Sequence, residues 1–168
     1  MVPFFYIWQM LVAGLMLAHA SVLDVRRGRE VGDKVFVAYS CLGLLGVGYS
    51  VLMGGYGWRL DFLLLAVAVT VPLAWLPYYF RMYAGADVKA LISVALILPT
   101  YHSAYPQLYP FTSIMVLTNS LLFSAVVTVP LLVARRRNVK VPFLPFILLG
   151  YIATLVYGDI TTLRGWKF

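Results

Sequence analysis

One cysteine, two histidines and six acidic residues are all that this 168-residue chain offers to redox, metal or acid chemistry. A lone Cys41 excludes an internal disulfide framework and a CxxC metal site, and its place inside an apolar run reads as a small packing residue. His19 and His102 have no second His or Cys beside them at metal-ligand spacing. There is no glycine motif to cradle a phosphate, no internal repeat and no low-complexity tail. Charged residues make up only 11% of the chain, against about 25% in ordinary soluble domains. That scarcity leaves no room for a separate soluble domain, so residues 1–168 are read as a single unit.

What the chain has instead is apolar length. Hydrophobic residues account for 62% of it and the mean hydropathy is +0.90, the composition of a membrane protein. Apolar runs lie at about residues 4–23, 35–53, 62–80, 86–99, 113–134 and 141–158. They predict an all-α, polytopic integral membrane protein with about six transmembrane helices. The fourth run is the shortest, carrying Asp87 and Lys89 near its start and Pro99 at its end. Pro72, Pro77, Pro130, Pro142 and Pro145 are expected to kink helices or mark their ends. "LMLAHAS" closes the first run with a pattern like a signal-peptidase site, but "MVPFFYIWQ" before it has no positive region, so a retained first helix is expected.

The net charge of +7 comes in short basic clusters between apolar runs, which argues for membrane topology and against nucleic acid. Connections one, three and five carry nine Lys and Arg, while the even connections and the C-terminal tail carry three. By the positive-inside rule the odd connections face the cytoplasm and the N-terminus lies outside the plasma membrane. The fourth connection, "TYHSAYPQLYPFTS", is uncharged and rich in Tyr and Pro, as suits an interfacial segment.

The acids then separate by place. Asp61 and Asp159 fall at outer helix ends and read as interface residues, and Asp33 precedes the second helix as an N-cap. Glu30 is solvated or paired with a nearby arginine. Asp24 ends the first helix and Asp87 begins the fourth, so alternation of direction returns both to the cytoplasmic face. Ionisable residues at the edge of a membrane span usually face a protein interior or a wet cavity. Two adjacent carboxylates share a proton, one acting as general base on a water and the other donating a proton to the scissile carbonyl of a peptide. A lone aspartate at a helix end also serves as a cap or anchor, and a proton relay in a small transporter or channel subunit would use paired carboxylates too.

Three stretches resemble the type IV prepilin peptidase family, the membrane aspartyl proteases with a GxGD motif, and especially its short archaeal preflagellin and prepilin peptidases. "SVLDVRRGREVGDKVF" looks like the family's first aspartate segment, "YAGADVKALISVALILP" like its GxGDxK segment, and "VPFLPFILLG" like its P-F-x-P-F stretch. The motif's two glycines fall here on Ala84 and Ala86, with Gly85 between them. The resemblance implies that Asp24 and Asp87 form the catalytic pair of an endopeptidase cutting the short basic leader from prepilin-like or preflagellin-like substrates. It implies that Lys89 is the motif lysine, that Gly85 is a flexible joint, and that Pro142 and Pro145 shape the last helix at the site. Lys89 stands two positions from Asp87, about 200° around a helix, and is not expected to be its direct partner. Glu30, Asp33 or anionic lipid headgroups would recruit the leader. The implied chemistry needs no metal or organic cofactor, and nucleic acid is not an expected partner.

Overall fold

A computed structural model describes residues 4–27, 31–52, 60–80, 84–100, 111–133 and 142–157. These residues form α1 (Phe4–Arg27), α2 (Asp33–Leu52), α3 (Leu60–Tyr79), α4 (Gly85–Ile97), α5 (Thr112–Val133) and α6 (Leu144–Tyr157). An isolated antiparallel bridge, Thr100 to Phe111, is the other regular pairing among them. Each apolar run has become one helix. A backbone in apolar surroundings must satisfy its own N–H and C=O groups, and a helix does so within one segment.

Length divides the helices into two kinds. Tyr6–Arg26, Asp61–Tyr79 and Thr112–Pro130 are long and apolar enough to cross a membrane. α4 and α6 have 13 and 14 residues, about 20 Å of helix against a hydrocarbon core of roughly 30 Å. Three segments of full spanning length are thus shown among the described residues, and α2, at 20 residues, is as long as α3. Large apolar side chains face outward, including Leu45 at 70%, Leu64 at 66% and Val126 at 73% exposure. An apolar exterior on that scale suits lipid and not water.

α4 is the central element. Ala86, Asp87, Val88, Ala90, Leu91, Ser93, Val94, Ala95 and Ile97 of its 13 residues are buried, and it packs against α1, α2, α3, α5 and α6. Its small residues let the neighbours approach closely. Gly43 of α2 is where Ile97 docks, since a Cβ there would meet Ile97 carbons at 2.5–2.8 Å. Gly150 of α6 is pressed against Ser120 and Val116 of α5 in the same way.

Successive helices run antiparallel. The end of α1, the starts of α2 and α4 and the start of α6 share one end of the bundle: Asp33 pairs with Lys89, and Ser21, Val22, Val25 and Arg26 border a groove with Pro145 and Leu148. Farther along, Tyr151 donates to the Met10 carbonyl at 2.7 Å, and Asn119 to Thr154 at 3.0 Å.

One expectation is corrected. Cys41 is exposed on the outside of α2 and is not an interior packing residue. α3 runs on through Pro72 and Pro77, and α5 through Pro130, so of the two roles expected for these prolines they do not mark helix ends. Pro145 does mark a helix start, standing in the first turn of α6 where a missing N–H costs no helical bond.

Candidate functional site

The inward face of α1 repeats at helical spacing. Ala13, Met16, Leu17, Ala20, Ser21 and Asp24 are all buried, whereas Leu11, Leu15, Val22 and Val25 face out. Asp24 continues an apolar stripe and is 3% exposed because its position on that stripe turns it into the bundle. A carboxylate taken out of water in this way is costly unless it is paired or hydrogen-bonded.

Asp87 reaches the same condition from the other direction. It stands in the first turn of α4, also 3% exposed. Ala84, at φ −81° and ψ 159°, is the N-cap in extended backbone that any residue adopts. Its N–H donates to Asp87 Oδ2 at 2.8 Å, and the Asp87 N–H donates back to the Ala84 carbonyl at 3.1 Å. This is half a capping box, because alanine has no side-chain acceptor to return. The alanine in the first motif position is therefore accommodated without strain.

Lys89 points away from Asp87, as the 200° offset requires. Its ammonium is half-exposed and pairs with the exposed Asp33 carboxylate across the α2–α4 contact. Asp33 is thus not the cap of α2: the helix begins on it, the Gly32 carbonyl accepts the Val35 N–H at 3.2 Å, and the carboxylate reaches across to α4. Because Asp33 follows Asp24 by nine positions and Lys89 follows Asp87 by two, this ion pair ties together the ends of the bundle that carry the two buried aspartates. Both partners are solvated, so the pair is worth at most about 1 kcal/mol. We expect Lys89→Gln, Asp33→Asn and the double variant to melt within about 1 kcal/mol of the parent and to retain function. A double-mutant cycle in detergent measures the coupling.

Gly85 opens α4 half-buried, and a Cβ there would touch only Tyr78 Cε2, at 3.9 Å. Its backbone is not in the left-handed region, so nothing in the resting geometry demands glycine. Gly85→Ala is expected to keep the fold and to change stability by no more than about 1 kcal/mol; activity lost at unchanged melting temperature would show that a joint moves there during turnover. Pro142 precedes α6. Pro145 lies beside Phe143, whose carbonyl accepts the Phe146 and Ile147 N–H groups at 2.9 and 3.1 Å, and it borders the α1–α6 groove. Glu30, His102 and Asp159 lie outside the described residues. His19 packs its ring edge-on to Tyr39, 6.0 Å between centroids, joining α1 to α2.

Among the described residues no group of three or more His, Cys, Asp or Glu side chains is placed to hold a metal ion. Sequence reasoning passed over the Asp33–Lys89 pair, the α1–α6 groove and the buried polar side chains Gln9, Asn119 and Thr154. For Asn119 the signal was present, a carboxamide inside an apolar helix. No family model, curated protein or solved structure matches this chain significantly.

Proposed function

We propose that this chain is an intramembrane aspartic endopeptidase that removes a short basic leader from prepilin-like or preflagellin-like proteins, with Asp24 and Asp87 as its catalytic pair. The observation that carries the reading is the burial of two aspartates, from helices 63 positions apart in sequence, at one end of one bundle. On this reading all six helices cross the plasma membrane with the N-terminus outside, and α4, shorter than the bilayer, is shielded from lipid by its neighbours. The site then opens to the cytoplasm, where the basic connections lie.

The chemistry follows from the pair. One carboxylate takes a proton from water as it attacks the scissile carbonyl, and the other, protonated, donates to the amide nitrogen as the C–N bond breaks. A membrane helix protects its carbonyls by hydrogen bonding, so the boundary between a leader and an apolar helix is where local unwinding costs least. Purified protein mixed with a fusion of a basic leader and an apolar helix is expected to cut once, at that boundary. An intact fusion under conditions where the protein is folded would reject the peptidase.

A proton-coupled transporter or channel subunit is the competing reading. Gln9 favours it, being fully buried with neither side-chain atom hydrogen-bonded, since interior polar groups along the bundle are what a conduction path needs. Proton flux into vesicles, without cleavage of any leader fusion, would select it.

A further inference from the structure

α3 is the least enclosed of the three helices of full spanning length, with 17% of its span buried against 39% in α1 and 33% in α5. Its buried residues among those described are Ala66, Thr70 and Ala74, one every four positions. A single row of small side chains at that spacing makes a narrow, smooth contact. α3 packs broadly on α4 and only slightly on α5.

The α3–α5 seam is closed at its middle by two hydroxyls. Thr70 Oγ1 donates to the Ala66 carbonyl at 2.6 Å, so it is Ser113 Oγ, 2.5 Å away on α5, that donates to Thr70 and bridges the helices. Around the bridge Leu73, Ala74, Leu91 and Leu117 line a crevice shut to water. When such a seam parts, Thr70 keeps its bond to Ala66 and only the Ser113 hydroxyl loses its partner. Leu91, the contribution of α4 to the crevice, stands one helical turn from Asp87 on the same helix face. The walls on either side, α3 and α5, are both long and apolar enough to cross a membrane. A cleft opened between them runs beside two full spans and leads to the first turn of α4.

We propose that the α3–α5 seam is the docking site for the apolar helix of the substrate, which parts α3 from α5, lies against Leu91 and brings its leader boundary to Asp87. The proposal rests on the peptidase reading and gives that site its route of entry. Asp87 is buried in a helix surrounded by neighbours, so a substrate held in the bilayer reaches it only by passing between two of them. A helix suits that route because it satisfies its own backbone groups while it lies in apolar surroundings. A lipid chain in the same seam has no leader boundary to deliver.

Thr70→Cys with Ser113→Cys, in a Cys41→Ser background that leaves no other thiol, locks the seam. Side-chain oxygens 2.5 Å apart set the two Cβ atoms near the roughly 3.5–4.5 Å of a disulfide. Oxidation is expected to slow cleavage of the fusion of leader and apolar helix by about tenfold or more, and reduction to restore it. A short soluble peptide that spans the same boundary but lacks the apolar helix should be cut equally well in both states. Undiminished cleavage of the fusion by the locked protein would overturn the seam. Equal loss of the soluble peptide would overturn it too, because the lock would then act on the aspartates and not on entry. Failure of the reduced protein to cut either substrate rejects the peptidase itself, a different result. The second measurement needs no turnover: in Asp87→Asn protein, which leaves the fusion whole, a benzophenone side chain in place of Leu73 should photocapture the fusion. The same group in place of Leu45, exposed on α2, should not. No capture at Leu73, or equal capture at both positions, overturns the seam whatever the cleavage result.

Discussion

Asp24→Asn and Asp87→Asn are each expected to lower leader cleavage by about 10²–10⁴-fold while the protein remains inserted and folded, the loss typical of removing a general acid or base. Asparagine is the informative replacement because it keeps the shape of the side chain and an acceptor oxygen. At Asp87 that matters, since Oδ2 already accepts the Ala84 N–H at 2.8 Å. Asp87→Asn still caps α4, whereas Asp87→Ala would lose the cap, at about 1 kcal/mol, along with the chemistry. A cap alone predicts full activity in Asp87→Asn and a lower melting temperature in Asp87→Ala. A catalytic role predicts no turnover in either, with normal melting in the first. The two residues act on one water, so the double variant should be scarcely slower than the singles. If either asparagine variant cleaves at the parental rate, the pair is not the engine of the reaction and the buried carboxylates need another explanation, of which proton transfer is the first.

The helices were legible because a membrane chain writes them as apolar runs between charged, glycine or proline-rich connections. The observed Gly85–Ile97 and Leu144–Tyr157 fall within the runs read at 86–99 and 141–158, to within a residue at the starting edge of α4. The inward turn of Asp24 was legible too, in hindsight of nothing more than its spacing from Ala20, Leu17 and Ala13. What could not be read was which face of an all-apolar helix meets lipid. α2 is apolar on every side, so its pattern does not distinguish an outward Cys41 from an inward one. Asp33 looked like a cap for a related reason: local sequence identifies a carboxylate at a helix start, but its partner, Lys89, is 56 positions away and meets it only after α2 and α4 pack. The number of crossings could not be read from hydropathy alone, which registers apolarity and not length, and α4 and α6 are short among the described residues. Glycines gave no warning of their different duties, since a tight contact and an open surface use the same letter.

That difference among glycines carries the second large expectation: Gly150→Ala should destabilise the bundle by about 1–3 kcal/mol or more, while Gly48→Ala should be neutral or slightly stabilising. A Cβ on Gly48 meets nothing within 4 Å. On Gly150 it would fall well inside contact distance of Ser120 Oγ and 2.7 Å from both the Ser120 nitrogen and the Val116 carbonyl oxygen. Those last two are backbone atoms of α5, so no rotamer change relieves them and the helices must separate. Separation also threatens the bonds from Asn119 to Thr154 and from Tyr151 to Met10, which fix α6 against α5 and α1. Ser120→Ala introduced with Gly150→Ala should therefore rescue only part of the loss, because it removes the hydroxyl and leaves the backbone contacts in place. Full rescue would mean that the side chain, not the helix approach, sets the tolerance. Thermal melting in detergent gives the ranking, and a Gly150→Ala protein as stable as the parent would show that α5 and α6 do not lie this close in the membrane. Since α6 also presents Pro145 and Leu148 to α1 one turn from Asp24, a separated α6 should loosen that end of the bundle and lower cleavage even at temperatures where the variant remains folded.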